Sequence, residues 1–204
     1  MKKVIRFVYR CSGYLICALH NLFYPVSLKL NPIKEKTVLF VAHQDDDVLF
    51  FHSFMKKEKP YVVLVSTGFS LTRMKEFKAA MKHYGLRYNY HCLKSRDERT
   101  DKIESIIKKE LTRGEFTLCC SHSESGEYGH IMHKNIGKAV KKLSPCRTLS
   151  TLGKDKIGGD EYELDEPEIE EKINLFKCIY RSQLFVLDEY KIWVTHEGLT
   201  EVKR

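Results

Sequence analysis

Apolar residues along this chain fall into short runs that alternate with sets at helical spacing. Thr37 to Ala42 (TVLFVA) and Tyr61 to Ser66 (YVVLVS) are β-branched and aromatic runs without clean alternation, the pattern of central parallel strands buried on both faces. Between Thr72 and Tyr84, Met74, Phe77, Met81 and Tyr84 recur at helical spacing; Ser70 or Thr72 is available as a cap and Gly85 is placed to end the helix. Arg96 to Arg113 repeats the signal through Ile103, Ile106, Ile107 and Leu111, with Gly114 as the stop. FTLCCS, residues 116 to 121, then reads as a third buried strand. Gly153 to Glu166 is polar and glycine-bearing, which predicts a surface loop. Pro167 opens a last helix carrying Ile169, Ile173, Phe176 and Tyr180, and Tyr190 to Thr195 is expected to close the chain as an edge strand.

Strand and helix keep alternating, so the expected fold class is α/β: a Rossmann-like three-layer arrangement with a mostly parallel sheet and its working loops at the carboxyl ends of the strands. With 204 residues the chain has room for one full hydrophobic core, which places a single domain over residues 31–204. Residues 1–30 stand apart, being basic at Lys2, Lys3, Arg6 and Arg10, then aromatic and moderately apolar. Arg6 and Arg10 interrupt a signal-peptide pattern, and Ser12, Gly13, His20, Asn21 and Pro25 dilute a spanning helix. Two readings fit this segment: a helix lying in a membrane interface, or a helix docked on the core.

The formal net charge of +8 favours anionic partners, whether phosphate-bearing substrates, anionic membrane surfaces or nucleic acid. Basic residues are scattered along helices rather than gathered into an aromatic-interleaved arginine cluster, which turns the expectation away from nucleic acid. Seven cysteines without CxxC or zinc-finger spacing point to reduced thiols and a cytoplasmic compartment.

One stretch breaks the pattern. VLFVAHQDDDVLFF, residues 38 to 51, places His43 and the three aspartates Asp45, Asp46 and Asp47 directly after a buried strand, where charge is costly unless it binds something or reaches water. The simplest account is a solvated loop whose aspartates favour the amino terminus of the next helix. A second cluster, SHSESGEYGHIMH (residues 121 to 133), follows the strand 116 to 120 and sets His130 and His133 three apart. Two histidines and a carboxylate converging at strand ends supply the three protein ligands of an open catalytic zinc site.

AHQDDDVLFF resembles the AHPDDE signature of the LmbE-like deacetylases, the family that includes N-acetylglucosaminylphosphatidylinositol de-N-acetylase, and GEYGHIMH resembles the GEYGHPDH element of the same family. The resemblance runs from about Thr37 to Val140, with weaker echoes at Arg73 and Glu76 and at Tyr180 to Gln183 (YRSQ). It implies His43, Asp46 and His133 as ligands of Zn2+ (Fe2+ suits the same set). It further implies Asp45 as general base, His130 as a cationic or acidic group near the reacting carbonyl, and Tyr128 as an oxyanion donor. Arg73 would grip a phosphate or sugar hydroxyl, against the alternative of an ordinary helix-surface arginine.

The activity implied is removal of the N-acetyl group from an N-acetylated amino sugar, an N-acetylglucosamine-type glycan or a lipid-linked intermediate. Three positions depart from the family pattern, Gln44 for proline, Asp47 for glutamate, and Met132 for the aspartate that would orient His130; the alternative, a non-catalytic metal- or glycan-binding relative, is fed by Met132 and Gln44. His122, Glu124 and Glu127 either line the pocket or are exposed loop charges.

Overall fold

The unbroken apolar run of the first strand conceals a period of two. In β1 (Thr37–Val41) Leu39 and Val41 join one core cluster while Val38 and Phe40 join another. The same division holds in β2 (Tyr61–Leu64), with Val62 and Leu64 on one side and Tyr61 and Val63 on the other. Strands buried on both faces need apolar residues at every position, which is why alternation is invisible in the sequence. The structure, a computed structural model, describes residues 11–13, 15, 16, 18, 19, 33–93 and 100–203.

The helices that cover these faces are α1 (Asp46–Glu58), α2 (Leu71–Tyr84), α3 (Thr100–Leu111), α4 (Ile131–Leu143) and α5 (Glu166–Cys178). Two short helices, α6 (Val186–Glu189) and α7 (Lys191–Thr195), follow. With β3 (Tyr88–Tyr90), β4 (Leu118–Ser121), β5 (Arg147–Thr151) and β6 (Leu199–Glu201), the sheet has the order β3-β2-β1-β4-β5-β6, parallel except for β6. The architecture is thus α/β with three layers, α1, α2 and α5 on one face and α3 and α4 on the other. This order reverses direction between β1 and β4, the topological switch point where such sheets open a crevice at their carboxyl ends.

Local signals mostly hold. Ser70 caps α2 by accepting from Arg73 N–H, and Gly85 ends it in the left-handed conformation. Asp165 caps α5, with Pro167 in its first turn. Helix α3 is described from Thr100, so the expected start at Arg96 lies outside the described residues. The expected surface loop 153–166 contains a 3-10 turn (Asp160–Tyr162) and buries Ile157 and Leu164.

The expected edge strand at 190–195 is a correction: Lys191–Thr195 is helical, and the antiparallel edge strand is Leu199–Glu201. Lys172, fully buried, donates to the Trp193 carbonyl, while Trp193 packs its ring on Phe50, Tyr128 and Tyr190, so both backbone and side chain are committed elsewhere than a ladder. Of the amino-terminal segment, residues 11–13, 15, 16, 18 and 19 are helical; the basic start at Lys2, Lys3, Arg6 and Arg10 lies outside the described residues. No helix among the described residues is long and apolar enough to cross a membrane.

Helix α1 kinks at Phe51, whose backbone leaves the helical region. The Ser53 and Phe54 amides beyond the kink donate to the Glu197 carboxylate, which caps the second half of the helix from the far end of the chain. Next to the kink, buried His52 bonds the Tyr84 hydroxyl, and burial, joined by Lys172, lowers its pKa from 6.5 to about 4. Between these values the unfolded chain takes up a proton that the folded one refuses. Stability is therefore expected to fall as pH drops from about 6.5 to about 4, by roughly 1.4 kcal/mol per pH unit for this one proton. Urea unfolding across that window should show a shallower decline for His52→Asn, whose amide oxygen can replace the ring nitrogen opposite Tyr84.

Candidate metal centre

Two loops meet at the switch point. One leaves β1 and carries His43 to Asp47; the other leaves β4 and carries His122 to His130, ahead of α4. Pairing of Phe40 with Ser121 in the sheet sets their register, and the Ala42 amide donates to His122 Nε2 across the gap at 3.0 Å. Helix α4 approaches the β4 loop at backbone contact: a Cβ on Gly137 would lie 2.5 Å from the Ser123 carbonyl carbon. Gly137→Val is expected to destabilise the protein by at least about 1–3 kcal/mol, because neither backbone can retreat, and chemical unfolding measures this directly.

Three lone-pair atoms converge in the crevice. His43 Nδ1 lies 3.2 Å from Asp46 Oδ2, His133 Nε2 lies 3.3 Å from the same oxygen, and the two nitrogens are 3.3 Å apart. Ligands at the usual zinc bond lengths form a tetrahedral edge of roughly 3.4 Å, so this triangle matches one face of such a site. All three residues are buried. Asp46 Oδ2 also accepts from the His43 amide at 2.7 Å, and two imidazoles and a carboxylate this close together form a donor set that suits a divalent cation. Burial lowers the His133 pKa, but Asp46 and Glu127 on either side outweigh it and raise it to about 10. Burial raises Asp46, and His133 and His43 pull it well below the usual carboxylate range.

His122 and His130 also approach this group, His122 with Asp46 and His133, His130 with His43 and His133. Each has one ring nitrogen in use. His122 Nε2 accepts from the Ala42 amide, which fixes its proton on Nδ1 toward Glu127. His130 Nδ1 accepts from the Met132 amide as the cap of α4. Burial and the neighbouring His43 and His133 lower the His130 pKa to about 4, so it is a neutral N–H donor at neutral pH rather than a cation. Met132 is fully buried among the apolar residues beneath α4 and so offers His130 no carboxylate.

Around the triangle sits a supporting frame. Glu127, buried, accepts from His133 Nδ1, from His122 Nδ1 and from the Thr151 hydroxyl. Such a carboxylate behind a ligand histidine fixes its tautomer and aims its other nitrogen. Asp47 is likewise buried: Tyr180 donates to its carboxylate at 2.8 Å and the Asp45 amide at 3.0 Å, and burial raises its pKa to about 7 against those bonds. Between these frames Asp45 adopts a positive φ of 102°, a conformation uncommon outside glycine, with aspartate and asparagine the usual exceptions. Arg73 Nη2 lies 2.6 Å from Asp45 Oδ1 and also bonds the Gln44 carbonyl. Gln44, at the position of the family's proline, donates to the Thr67 carbonyl and so ties the β1 loop to the β2 loop. Burial pushes the Asp45 pKa well up, against the opposing pull of Arg73. Tyr128 stands at the mouth, 36% exposed, its ring 5.3 Å from that of His133 and 4.6 Å from that of Tyr190.

The structure therefore brings together every site residue singled out by sequence: His43, Asp45, Asp46, Arg73, Tyr128, His130 and His133. Sequence reasoning left Glu127 among possible loop charges and gave Thr151, Tyr190 and Trp193 no place at the site. The one available signal was the position of Glu127 inside the GEYGHIMH element.

A doubly wound α/β domain with a histidine–carboxylate cluster at its switch point defines the class. No family model matches the sequence, and no curated protein matches it. Solved structures share the fold. One is the N,N'-diacetylchitobiose deacetylase from Pyrococcus horikoshii complexed with its inhibitor MPG, at TM-score 0.61 and 15% identity over 83% of this chain and 84% of that one. Another is the conserved protein TT1542 from Thermus thermophilus, at TM-score 0.60 and 14% identity over 78% and 83%. A third is GalB, the 4-carboxy-2-hydroxymuconate hydratase from Pseudomonas putida, at TM-score 0.52 and 13% identity over 83% and 97%. The chain has the fold that the LmbE-like resemblance implies, and the hydratase shows that this fold carries more than one reaction.

Proposed function

We propose that the protein is a metal-dependent amide hydrolase of the LmbE-like kind that removes the acetyl group from an N-acetylated amino sugar. The observation that carries this reading is the triangle of His43 Nδ1, Asp46 Oδ2 and His133 Nε2, with sides of 3.2 to 3.3 Å, beside an unligated carboxylate. Those three residues would hold a divalent ion, Zn2+ or Fe2+, which when bound polarises a carbonyl and acidifies water.

The remaining residues divide the work. Asp45 accepts the proton of the attacking water: its raised pKa makes it a better base than an exposed aspartate, and Arg73 fixes which oxygen stays free. Tyr128 stays protonated, because burial and the Asp46 charge raise its pKa, so its hydroxyl donates to charge developing on the carbonyl oxygen. His130 donates a neutral N–H at the same mouth. Arg73 itself is held by Asp45 and the Gln44 carbonyl, with its cationic guanidinium beside the crevice. Tyr128 and Tyr190 form a half-exposed aromatic wall suited to the apolar face of a sugar ring.

The test is acetate release from a panel of N-acetylhexosamine glycans and lipid-linked sugars by metal-loaded protein, with metal content measured on the same sample. Bound metal at one equivalent with acetate release from at least one substrate is the expected result. Metal bound without release from any of them would favour the non-catalytic reading.

A further inference from the structure

Two stretches that the sequence singles out lie outside the loops of the metal centre and yet bond each other. Arg73 and Glu76 occupy successive turns of α2, while the chain beyond α5 passes through Tyr180 into a 3-10 turn, Arg181–Gln183. The backbone N–H of Ser182 donates to Glu76 Oε1 at 2.9 Å and its hydroxyl donates to Glu76 Oε2 at 2.5 Å, so one carboxylate on α2 caps the turn. Within the turn, the backbone N–H of Gln183 donates to the Tyr180 carbonyl at 2.8 Å. The buried Gln183 side chain donates to the Ser182 carbonyl and hydroxyl, which leaves the hydroxyl proton directed at Glu76.

Each half of this pair reaches Asp45 from its own side. Arg73, one turn before Glu76, holds the Asp45 carboxylate at 2.6 Å. Tyr180, two residues before Ser182, donates to both oxygens of Asp47 at 2.8 Å, and Asp47 accepts the Asp45 amide at 3.0 Å. The bonds close a ring that runs from Asp45 through Arg73, Glu76, Ser182, Tyr180 and Asp47 back to Asp45. At its closing point Asp45 has a φ of 102°, a backbone that a non-glycine residue keeps only where its surroundings over-determine it. Tyr180 is fully buried against Phe176, whereas Glu76 is half-buried and Ser182 exposed. A bond within reach of water adds little to global stability. What it sets is the distance between the two clamps on Asp45, and a reacting group tolerates displacement of only about 0.5 Å.

We propose that Glu76 and Ser182 are positioning residues, a latch between α2 and the Arg181–Gln183 turn that fixes Arg73 and Asp47 at the separation which holds Asp45 in place beside the metal centre. The consequence for turnover rests on Asp45 as the base of the hydrolysis proposed above. The hold on the Asp45 backbone does not, and it can be read without any reaction.

Two measurements on the metal-loaded full chain test this. The first is hydrogen exchange of the Asp45 amide, followed by NMR: Glu76→Ala is expected to speed it by about tenfold while the amides of β1 keep their protection and the thermal midpoint holds. Glu76→Gln, which offers an oxygen to the Ser182 N–H and an N–H to its hydroxyl, should restore the wild-type rate of exchange. The second is acetate release, where Glu76→Ala should lower kcat by about tenfold at unchanged KM and metal content, with Glu76→Gln again restoring it. In an Asp45→Asn background the same Glu76→Ala change should lower the residual rate no further, since both substitutions act on one group. Unchanged exchange of the Asp45 amide in Glu76→Ala would overturn the latch whatever the turnover. So would a rate loss that persists in full in the Asp45→Asn background, because Glu76 would then act apart from Asp45. Faster exchange in Glu76→Ala, in a protein that releases no acetate, would support the latch and count against the hydrolase reading alone.

Discussion

Asp45→Asn is expected to lower the turnover of acetate release by about 10²–10⁴-fold while metal content and fold stay unchanged. The separation is sharp because asparagine tolerates positive φ nearly as well as aspartate, so the 102° backbone angle does not resist the substitution. The Asp45 amide keeps its bond to Asp47, and the side-chain amide keeps an oxygen for Arg73. What is lost is the second carboxylate oxygen as a proton acceptor. Single-turnover rates and metal content measured together check this, and a variant with undiminished rate would remove Asp45 from the reaction.

Glu127→Ala carries the largest expected effect on the protein itself. Its carboxylate accepts from two buried imidazoles and from the Thr151 hydroxyl. Burial raises its pKa, but His122 and His133 more than reverse this and hold it below the usual carboxylate range. Removing it leaves His122 and His133 with buried N–H groups and no acceptor, a loss of about 3–5 kcal/mol by comparison with other broken buried pairs. Metal affinity should fall by about 10–100-fold, since His133 is then free to rotate. Urea unfolding of the metal-free protein measures the first effect and metal titration the second. A change confined to metal affinity would mean that the surrounding groups repack or hydrate without cost.

Strands β1, β2 and β4 and helix α2 were legible because burial on two faces and a capped apolar stripe leave signatures within a few residues. Strands β3 and β5 were not, since YNY is too short and RTLST too polar to register. The segment Lys191–Thr195 misled because its aromatic and β-branched residues favour strand, while the hydrogen bond from Lys172 and the ring contacts of Trp193 arise from distant elements. At the centre, His43, Asp46 and His133 could be named from spacing and family resemblance. The assignment of Asp47 to Tyr180 could not, because 133 residues separate the partners.

The switch-point position of the cluster bears on how the chain assembles. His43 and His133 are 90 residues apart, and they meet only once β1 and β4 lie side by side, with β2, β3, α2 and α3 already looped out between them. Contacts of such long range carry a loop-closure cost that slows folding. Any ion held jointly by these residues would bind the finished sheet and not its precursors, so metal uptake would follow the closure of the central strand pair and add its binding energy to the native state alone.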